Sequence, residues 1–304
     1  MTETVAAIDC GSNSTRLLLA GRQNVYAREM RITRLSEGVD AARTLTAPAL
    51  ARTYAVLDEY RALMDGLEVQ RGLLVATSAV RDAANGATFI TEAQRRTRVD
   101  ARILSGQEEA RFSYEGATAD LEPTGEPTLI VDVGGGSTEL AVRVDGQLRS
   151  HSMQLGCVRI AERALGGGVV TPALASAARA MIDAELDRAF DAVPSFDAVV
   201  GPVRMVGLAG TVATLAQLDA ELATYDRDVV HHRRLTREVV NRWRAILEAE
   251  TPSQRLTHPG MVRGREDVLV GGLYVLDAVM ERFAVGELLT SESDILDGIV
   301  LSLV

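Results

Sequence analysis

The sequence LIVDVGGGSTEL, residues 129–140, has a close counterpart in AAIDCGSNSTRL, residues 6–17. In both, an apolar run leads into an aspartate, a glycine-containing turn follows, and Ser-Thr precedes a second apolar run. Asp9 aligns with Asp132, and the offset stays constant along both stretches. Each stretch therefore predicts two short strands joined by a tight turn. Because each copy begins its own series of strands and helices, the sequence indicates a duplicated fold.

Strand-like and helical patterns alternate along the chain, which argues for an α/β fold. Among them, residues 72–80 predict a strand, and residues 81–97 and 265–283 predict helices. With 304 residues, the chain is too long for one typical core and suits two domains. The segment EPTGEP, residues 122–127, breaks the pattern and predicts a boundary between domains 1–123 and 124–304. The sequence leaves open whether the closing helical stretch, SDILDGIVLSLV, packs back on the first domain.

The composition excludes several classes of protein. Hydrophobic residues make up 47% of the chain and the net charge is −10, as expected for a globular protein that binds nucleic acid poorly. No apolar run is long enough to span a membrane, and the N-terminus lacks the pattern of a signal peptide. The cysteines, Cys10 and Cys157, indicate buried thiols in a reducing cytosol. All 32 basic residues are arginines, whose planar guanidinium suits phosphate. Because the chain is acidic overall, a bound anion must be held in a local pocket.

Both turns have the features of an anion site. Glycine lets a bound group approach the backbone, whose successive N–H groups attract phosphate. Two such turns facing each other across a cleft would hold a phosphate chain from both sides. Neither a P-loop nor a dinucleotide fingerprint fits, because the chain has no lysine and the glycines precede a strand. The predicted phosphate-binding residues of the turns are Gly11, Ser12, Asn13, Ser14, Gly134, Gly135, Gly136 and Ser137.

The two turns differ in charge, because Arg16 in the first copy is replaced by Glu139 in the second. We expect Arg16 to bind phosphate. We expect the carboxylates of Asp132 and Glu139 to hold Mg²⁺ or Mn²⁺ together with phosphate oxygens. Asp9, the counterpart of Asp132, completes the predicted ligand set. The alternative is that Glu139 is a solvated strand residue.

The stretch SGQEEARF, residues 105–112, offers two adjacent acids as a general base. Ser105 and Glu108 fit a capping box, which would occupy Glu108 at the helix N-terminus. Glu109 points about 100° further around the helix and is left for catalysis. We therefore predict Glu109 as the base, with a purely structural role as the alternative.

Further phosphate-binding residues are predicted at two strand-to-helix turns. In ATSAVRDAAN, Ser78 would bind phosphate at a helix N-terminus and Arg81 would bind it by a forked contact. The alternative is a capped helix with Arg81 paired to an acid. In GLAGTVATL, Gly210 and Thr211 form a turn that either shapes the phosphate site or only packs.

The adjacent histidines in YDRDVVHHRR look at first like a metal site. On a strand, however, His231 and His232 would point to opposite faces. We therefore expect no metal there.

Taken together, these motifs resemble those of the Ppx/GppA family of exopolyphosphatases and guanosine pentaphosphate phosphohydrolases. The resemblance covers almost the whole chain and rests on AIDCGSNSTRLLLA, VATSAVRDAAN, ILSGQEEARFSYEGA, IVDVGGGSTEL and MVGLAGTVATLAQL. It implies two actin-like lobes of ribonuclease H-like topology, as in sugar kinases, actin and Hsp70, with a cleft between them. It also implies that Glu109 is the catalytic glutamate, that Arg265 binds phosphate and that the protein is a homodimer.

The resemblance implies a cytoplasmic hydrolase of phosphoanhydrides, and the acidic composition adds that neither nucleic acid nor a membrane is its partner. The chain looks like the short, two-domain form of the family, so we expect an exopolyphosphatase that acts on short chains of inorganic polyphosphate with Mg²⁺. A guanosine pentaphosphate phosphohydrolase would use the same site and is the first alternative. A non-catalytic module that binds guanosine penta- or tetraphosphate is the second, and an ATP-dependent kinase of the same superfamily is the third.

Overall fold

The structure, a computed structural model, describes residues 4–304 and contains two compact units. Unit 1 consists of the chain up to Ala119 together with Asp294–Val304, and unit 2 is Asp120–Ser293. The last helix is thus part of the same unit as the first sheet. Among residues 4–304, no helix has the length and apolar character needed to cross a membrane.

Strands and helices alternate through both units. The strands are β1 (Val5–Cys10), β2 (Ser14–Ala20), β3 (Val25–Ile32), β4 (Arg71–Ala76), β5 (Asp100–Ile103), β6 (Thr128–Val133), β7 (Thr138–Val144), β8 (Gln147–Met153), β9 (Arg204–Leu208), β10 (Arg234–Thr236) and β11 (Glu287–Thr290). The helices are α1 (Val39–Ala42), α2 (Ala47–Gly66), α3 (Ser78–Arg81), α4 (Gly86–Thr97), α5 (Gly106–Thr118), α6 (Cys157–Ile160), α7 (Pro172–Ala192), α8 (Ala209–Asp219), α9 (Arg227–Val230), α10 (Arg237–Glu248), α11 (Pro252–Arg255), α12 (Leu269–Arg282) and α13 (Ile295–Leu303).

Each unit is built around one mixed sheet, and the two sheets share a strand order. Unit 1 has the order β3-β2-β1-β4-β5, with β1, β2 and β3 antiparallel and β4 and β5 parallel to β1. In unit 2 the corresponding order is β8-β7-β6-β9-β11, and β10 is added at the edge. The predicted class, α/β with two actin-like lobes of ribonuclease H-like topology, is confirmed.

The central strands explain why the two motifs read as apolar runs. All residues of β1 and β6 are buried, because each strand lies inside its sheet and is covered on both faces. Cys10, at the end of β1, and Cys157, in α6, are both buried free thiols. Burial raises the pKa of each thiol, so neither has the character of a reactive cysteine.

Helices α5 and α13 pack closely in unit 1 because glycine occupies the contact on both sides. A Cβ on Gly116 of α5 would lie 1.9 Å from the carbonyl oxygen of Asp294. A Cβ on Gly298 of α13 would lie 2.0 Å from the carbonyl oxygen of Phe112. Neither position has room for a side chain, so the two helices approach through their backbones.

Two helix boundaries differ from the sequence expectation. The predicted strand over residues 72–80 ends at Ala76, and the predicted helix over residues 81–97 begins at Gly86. Residues 82–85, between α3 and α4, form a loop, in which the Asn85 side chain donates to the Leu45 carbonyl and accepts from the Leu45 amide, at 3.0 and 2.9 Å. The helix expected over residues 265–283 begins only at Leu269.

Candidate active site

The first predicted phosphate-binding turn, called turn 1 (residues 11–13), connects β1 to β2 in unit 1. The Gly11 amide donates to the Ser14 carbonyl at 3.0 Å and closes the turn. On its other side, amides of the loop 33–36 donate to the carbonyls of Ser12 and Asn13 at 2.9–3.0 Å. These bonds fix the shape of turn 1 before any ligand binds, which is the condition for a pre-organised anion site.

Two buried polar atoms beside turn 1 have no hydrogen-bond partner, namely Asp9 Oδ1 and Asn13 Nδ2. Asp9 is 4% exposed and Asn13 is 6% exposed. Burial raises the pKa of Asp9, although the Arg16 guanidinium partly opposes the shift. The Ser12 hydroxyl lies 3.1 Å from that of Ser78, so the structure brings Ser78 to turn 1. Since unsatisfied buried polar groups are rare in native proteins, their presence here indicates where a ligand would be held.

Glu109 lies in the first turn of α5 and is buried, whereas its neighbour Glu108 is engaged as expected. Ser105 and Glu108 form the complete predicted capping box. Burial of the Glu109 carboxylate is matched by Arg81, whose Nη1 lies 3.3 Å from Glu109 Oε2 and also donates to the Leu104 carbonyl at 2.7 Å. Arg81 is therefore paired to an acid, and that acid is the predicted base. The sequence did not reveal this contact, because the two residues come from different helices.

The helix that begins at Ser78 is shorter than the sequence suggested. Ser78 begins α3, which is one turn long and ends at Arg81. A single turn has a weak dipole, so the local contribution of Ser78 comes from its hydroxyl contact with Ser12.

The second predicted turn, called turn 2 (residues 134–137), connects β6 to β7 in unit 2 and is supported from one side by the start of α6. The Cys157 amide donates to the Gly134 carbonyl and the Val158 amide to the Gly135 carbonyl, both at 2.9 Å. Gly156 makes this approach possible, since a Cβ there would lie 2.5 Å from the Gly134 carbonyl oxygen. Gly156 supports turn 2 of the candidate site, and the sequence did not indicate it, because it lies outside the repeated motif.

Asp132 and Glu139 face each other directly across β6 and β7 in unit 2. Both are buried, and the Ser152 hydroxyl donates to Glu139 Oε1 at 2.7 Å. Carboxylate oxygens are the hard ligands that Mg²⁺ and Mn²⁺ prefer, so this pair of donors fits the predicted metal. In unit 1 the equivalent opposed pair is Asp9 and Arg16, which compensate each other.

The remaining predicted residues of unit 2 meet at the start of α8. A Cβ on Gly210 would lie 1.9 Å from the guanidinium carbon of Arg265, so the arginine packs flat against this glycine. Arg265 is only 8% exposed. Thr211, the next residue of α8, is buried. The structure thus places the predicted Gly210–Thr211 turn against Arg265, which the sequence analysis treated as a separate phosphate-binding residue.

The expectation that His231 and His232 point apart is wrong. They follow α9 in a turn instead of a strand, and the positive φ of 58° at His232 turns both rings to one side. The rings stack with centroids 3.8 Å apart, and their Nε2 atoms lie 3.1 and 3.6 Å from the Asp120 carboxylate. Within residues 4–304, these side chains are the one group of three with metal-ligand spacing.

The hydrogen bonds of His231 argue against a metal at this cluster. The Glu292 amide donates to His231 Nδ1 at 3.0 Å, so Nε2 carries the proton and donates to Asp120. A metal-ligating imidazole requires the opposite arrangement, with Nε2 on the metal and Nδ1 donating. Burial raises the pKa of Asp120, but hydrogen bonds from His231 and Ser293 outweigh this effect and lower it to about 2. Hydrogen bonds from His231 and Ser293 therefore hold the Asp120 carboxylate, whereas His232 Nε2 has no hydrogen-bond partner among residues 4–304.

The fold and these features define a class of protein: a hydrolase of phosphoanhydrides built from two ribonuclease H-like lobes. The features of this class are the hydrogen-bonded glycine turns, the buried glutamate beside an arginine and the opposed carboxylates. The chain belongs to the Ppx/GppA phosphatase family, whose model matches residues 18–304.

Similar proteins cover the whole length of the chain. Exopolyphosphatase 2 of Mycobacterium tuberculosis is 37% identical over 316 aligned positions, which cover 98% of each protein. The crystal structure of an exopolyphosphatase-like protein is 33% identical, with a TM-score of 0.93 over 99% of this chain and 98% of that one. The crystal structure of the Aquifex aeolicus member of the Ppx/GppA family is 26% identical, with a TM-score of 0.81 over 100% and 98% of the two chains.

Proposed function

We propose that this protein is an exopolyphosphatase that releases orthophosphate from the ends of inorganic polyphosphate. The observation that carries the proposal is the pair of adjacent glutamates at the start of α5. Glu108 is engaged in the capping box, while Glu109 is buried beside Arg81 at 3.3 Å. This arrangement supports Glu109 as the base, and the similarity to a mycobacterial exopolyphosphatase supports polyphosphate as the substrate.

In the proposed reaction, Glu109 accepts a proton from the attacking water. The water oxygen forms a bond to the terminal phosphorus as the phosphoanhydride P–O bond breaks. The products are orthophosphate and a polyphosphate chain that is one phosphate shorter. Arg81 orients the Glu109 carboxylate. Backbone amides and hydroxyls of turn 1 and turn 2, together with Ser78, Thr211 and Arg265, bind phosphate oxygens.

Within unit 2, Asp132 and Glu139 would hold Mg²⁺ or Mn²⁺. Within unit 1, Asp9 would offer a carboxylate oxygen to such a cation. When bound, the cation would offset the negative charge of the transferring phosphoryl group. The orphaned Asp9 Oδ1 and the opposed carboxylates of unit 2 support this assignment. We further propose that the protein is a cytoplasmic homodimer, as the family resemblance implies. The net charge of −10 argues against binding of nucleic acid.

Two other functions would use the same residues. A guanosine pentaphosphate phosphohydrolase would present a terminal phosphate to the same base. A regulatory member that only binds guanosine penta- or tetraphosphate would have no need for a buried glutamate held by an arginine, so the Glu109–Arg81 contact favours an enzyme.

A substrate panel tests the proposal. Orthophosphate release is measured with tripolyphosphate, long-chain polyphosphate and guanosine pentaphosphate, each with Mg²⁺, with Mn²⁺ and after chelation. We expect release from both polyphosphates, dependence on the divalent cation, and a higher kcat/KM for the short chain. Release from the nucleotide alone would assign the protein to the phosphohydrolase alternative, and release from none would support the regulatory one.

A further inference from the structure

Arg16 is held from two sides in unit 1. On one side, its Nε and Nη2 donate to Asp9 Oδ2 at 3.1 and 2.7 Å. On the other, its Nη1 donates to Asp294 Oδ2. The guanidinium is planar and has donors on fixed edges, so contacts on two edges determine the orientation of the whole group.

Asp294 has a second task, because it is also the N-cap of α13. Its Oδ1 accepts from the Leu296 amide at 2.9 Å, and its own amide donates to Asp297 at 2.8 Å, which completes a capping box. Serine, threonine or asparagine would satisfy an N-cap equally well. Capping therefore explains one oxygen of Asp294 and leaves the contact between its other oxygen and Arg16 unexplained.

Asp297 shows that the two acids of this capping box have separate partners. Asp297 accepts two hydrogen bonds from Arg28 Nη2, at 2.6 and 2.7 Å. Arg28 approaches Asp294 only to 3.8 Å. Asp294 is the more buried acid, with side chains 9% and 21% exposed respectively. Asp297 thus pairs with Arg28, and of the two acids in the capping box only Asp294 contacts Arg16, a predicted phosphate-binding residue.

We propose that Asp294 is a positioning residue of the phosphatase site, which holds the Arg16 guanidinium in the orientation that binds substrate phosphate. This inference rests on the proposed function, and in particular on the phosphate-binding role of Arg16. It makes the last helix a functional part of unit 1, because α13 supplies the carboxylate that fixes an arginine beside turn 1.

The substitution Asp294→Asn tests the proposal, because asparagine keeps the N-cap acceptor but places an amide donor toward the Arg16 donor. We expect KM for tripolyphosphate to rise about tenfold, as for the loss of a charge-assisted hydrogen bond, and kcat to stay within about twofold. Calorimetric binding of tripolyphosphate without a divalent cation should weaken by a similar factor. Asp294→Ser, which also caps helices, provides a second variant with the same expectation.

A double-mutant cycle shows whether Asp294 acts through Arg16. Arg16→Gln should itself raise KM, and adding Asp294→Asn to it should change KM no further. Asp297→Asn is the matched control on the same capping box and should leave KM unchanged in either background. Equal effects of Asp294→Asn with and without Arg16 would overturn the proposal.

The outcomes separate this inference from the proposed function. If Arg16→Gln leaves KM and tripolyphosphate binding unchanged, Arg16 does not bind phosphate and the inference is wrong, while the enzyme remains an exopolyphosphatase. If the unmodified protein releases no phosphate from tripolyphosphate, the proposed function itself fails.

Discussion

Glu108 and Glu109 have adjacent positions but different surroundings. Glu108 accepts from the Ser105 amide and hydroxyl, both at 2.9 Å, and pairs with Arg102. The Ser105 backbone hydrogen bond, together with these side-chain partners, lowers the pKa of Glu108. Glu109, in the same turn of α5 as Glu108, is buried beside Arg81 of α3. Two identical side chains therefore provide an internal comparison between a structural and a proposed catalytic carboxylate.

The first prediction uses this comparison. Glu109→Gln removes the proton acceptor and should lower kcat at least about 100-fold, while the dissociation constant for tripolyphosphate changes little. Glu108→Gln makes the same chemical change one residue earlier, and glutamine still satisfies a capping box, so kcat should be retained. Steady-state kinetics and calorimetry on both variants provide the measurement. Equal kcat values for the two variants would remove Glu109 from the mechanism.

Of the contacts at the candidate site, the sequence predicted those that depend on neighbouring positions and missed those that depend on packing. The capping box could be read directly, because its four positions are consecutive. The contact between Glu109 and Arg81 could not, since it depends on how two separate helices pack. The prediction that the two histidines point to opposite faces failed, because the positive φ at His232 places its ring on the same side as that of His231.

Helices α5 and α13 illustrate how a local sequence requirement serves the site. Gly116 and Gly298 allow backbone contact between them, and α5 carries Glu109 while α13 carries the cap Asp294. The sequence alone predicted both helices, and the predicted pairs of strands joined by a tight turn are present in both units. It did not predict the helix contact, because an isolated glycine in a helix does not indicate what lies against it.

The second prediction concerns this helix contact. Gly298→Ala would place a Cβ 2.0 Å from the Phe112 carbonyl oxygen, so the helices must separate. We expect the free energy of unfolding to fall by about 3 kcal/mol, at the upper end for overpacking. Gly66→Ala, at the end of α2 with nothing within 4 Å, is the control and should be neutral or stabilising by up to about 1 kcal/mol. Urea denaturation of both variants gives the values, and an undiminished stability of Gly298→Ala would contradict the close packing.

Unit 1 is formed from two distant parts of the chain, whereas unit 2 is continuous. Ile295, Leu296 and Ile299 of α13 are buried in an apolar cluster with residues of β1 and β2. The stability of unit 1 therefore depends on residues near position 300. The sequence left this arrangement open, because the apolar spacing of the last helix does not identify the surface it covers.

The third prediction follows from this division. Ile299→Ala removes a fully buried side chain and should cost about 2–5 kcal/mol. In hydrogen exchange, the slowest amides of residues 4–119 should exchange at least about thirtyfold faster, and those of residues 120–293 should change much less. Leu301→Ala, at a position 49% exposed, is the control and should leave both sets unchanged. Equal acceleration in both sets would mean that the whole chain unfolds as one cooperative body.

The split composition of unit 1 also has a consequence for synthesis on the ribosome. All residues of unit 2 emerge before the segment 294–304 that completes unit 1. Unit 1, whose first 119 residues are synthesised before unit 2, therefore cannot complete its fold until unit 2 has also been synthesised. Any nascent chain interrupted before residue 294 would carry Glu109 on α5 without α13, the helix that packs against it.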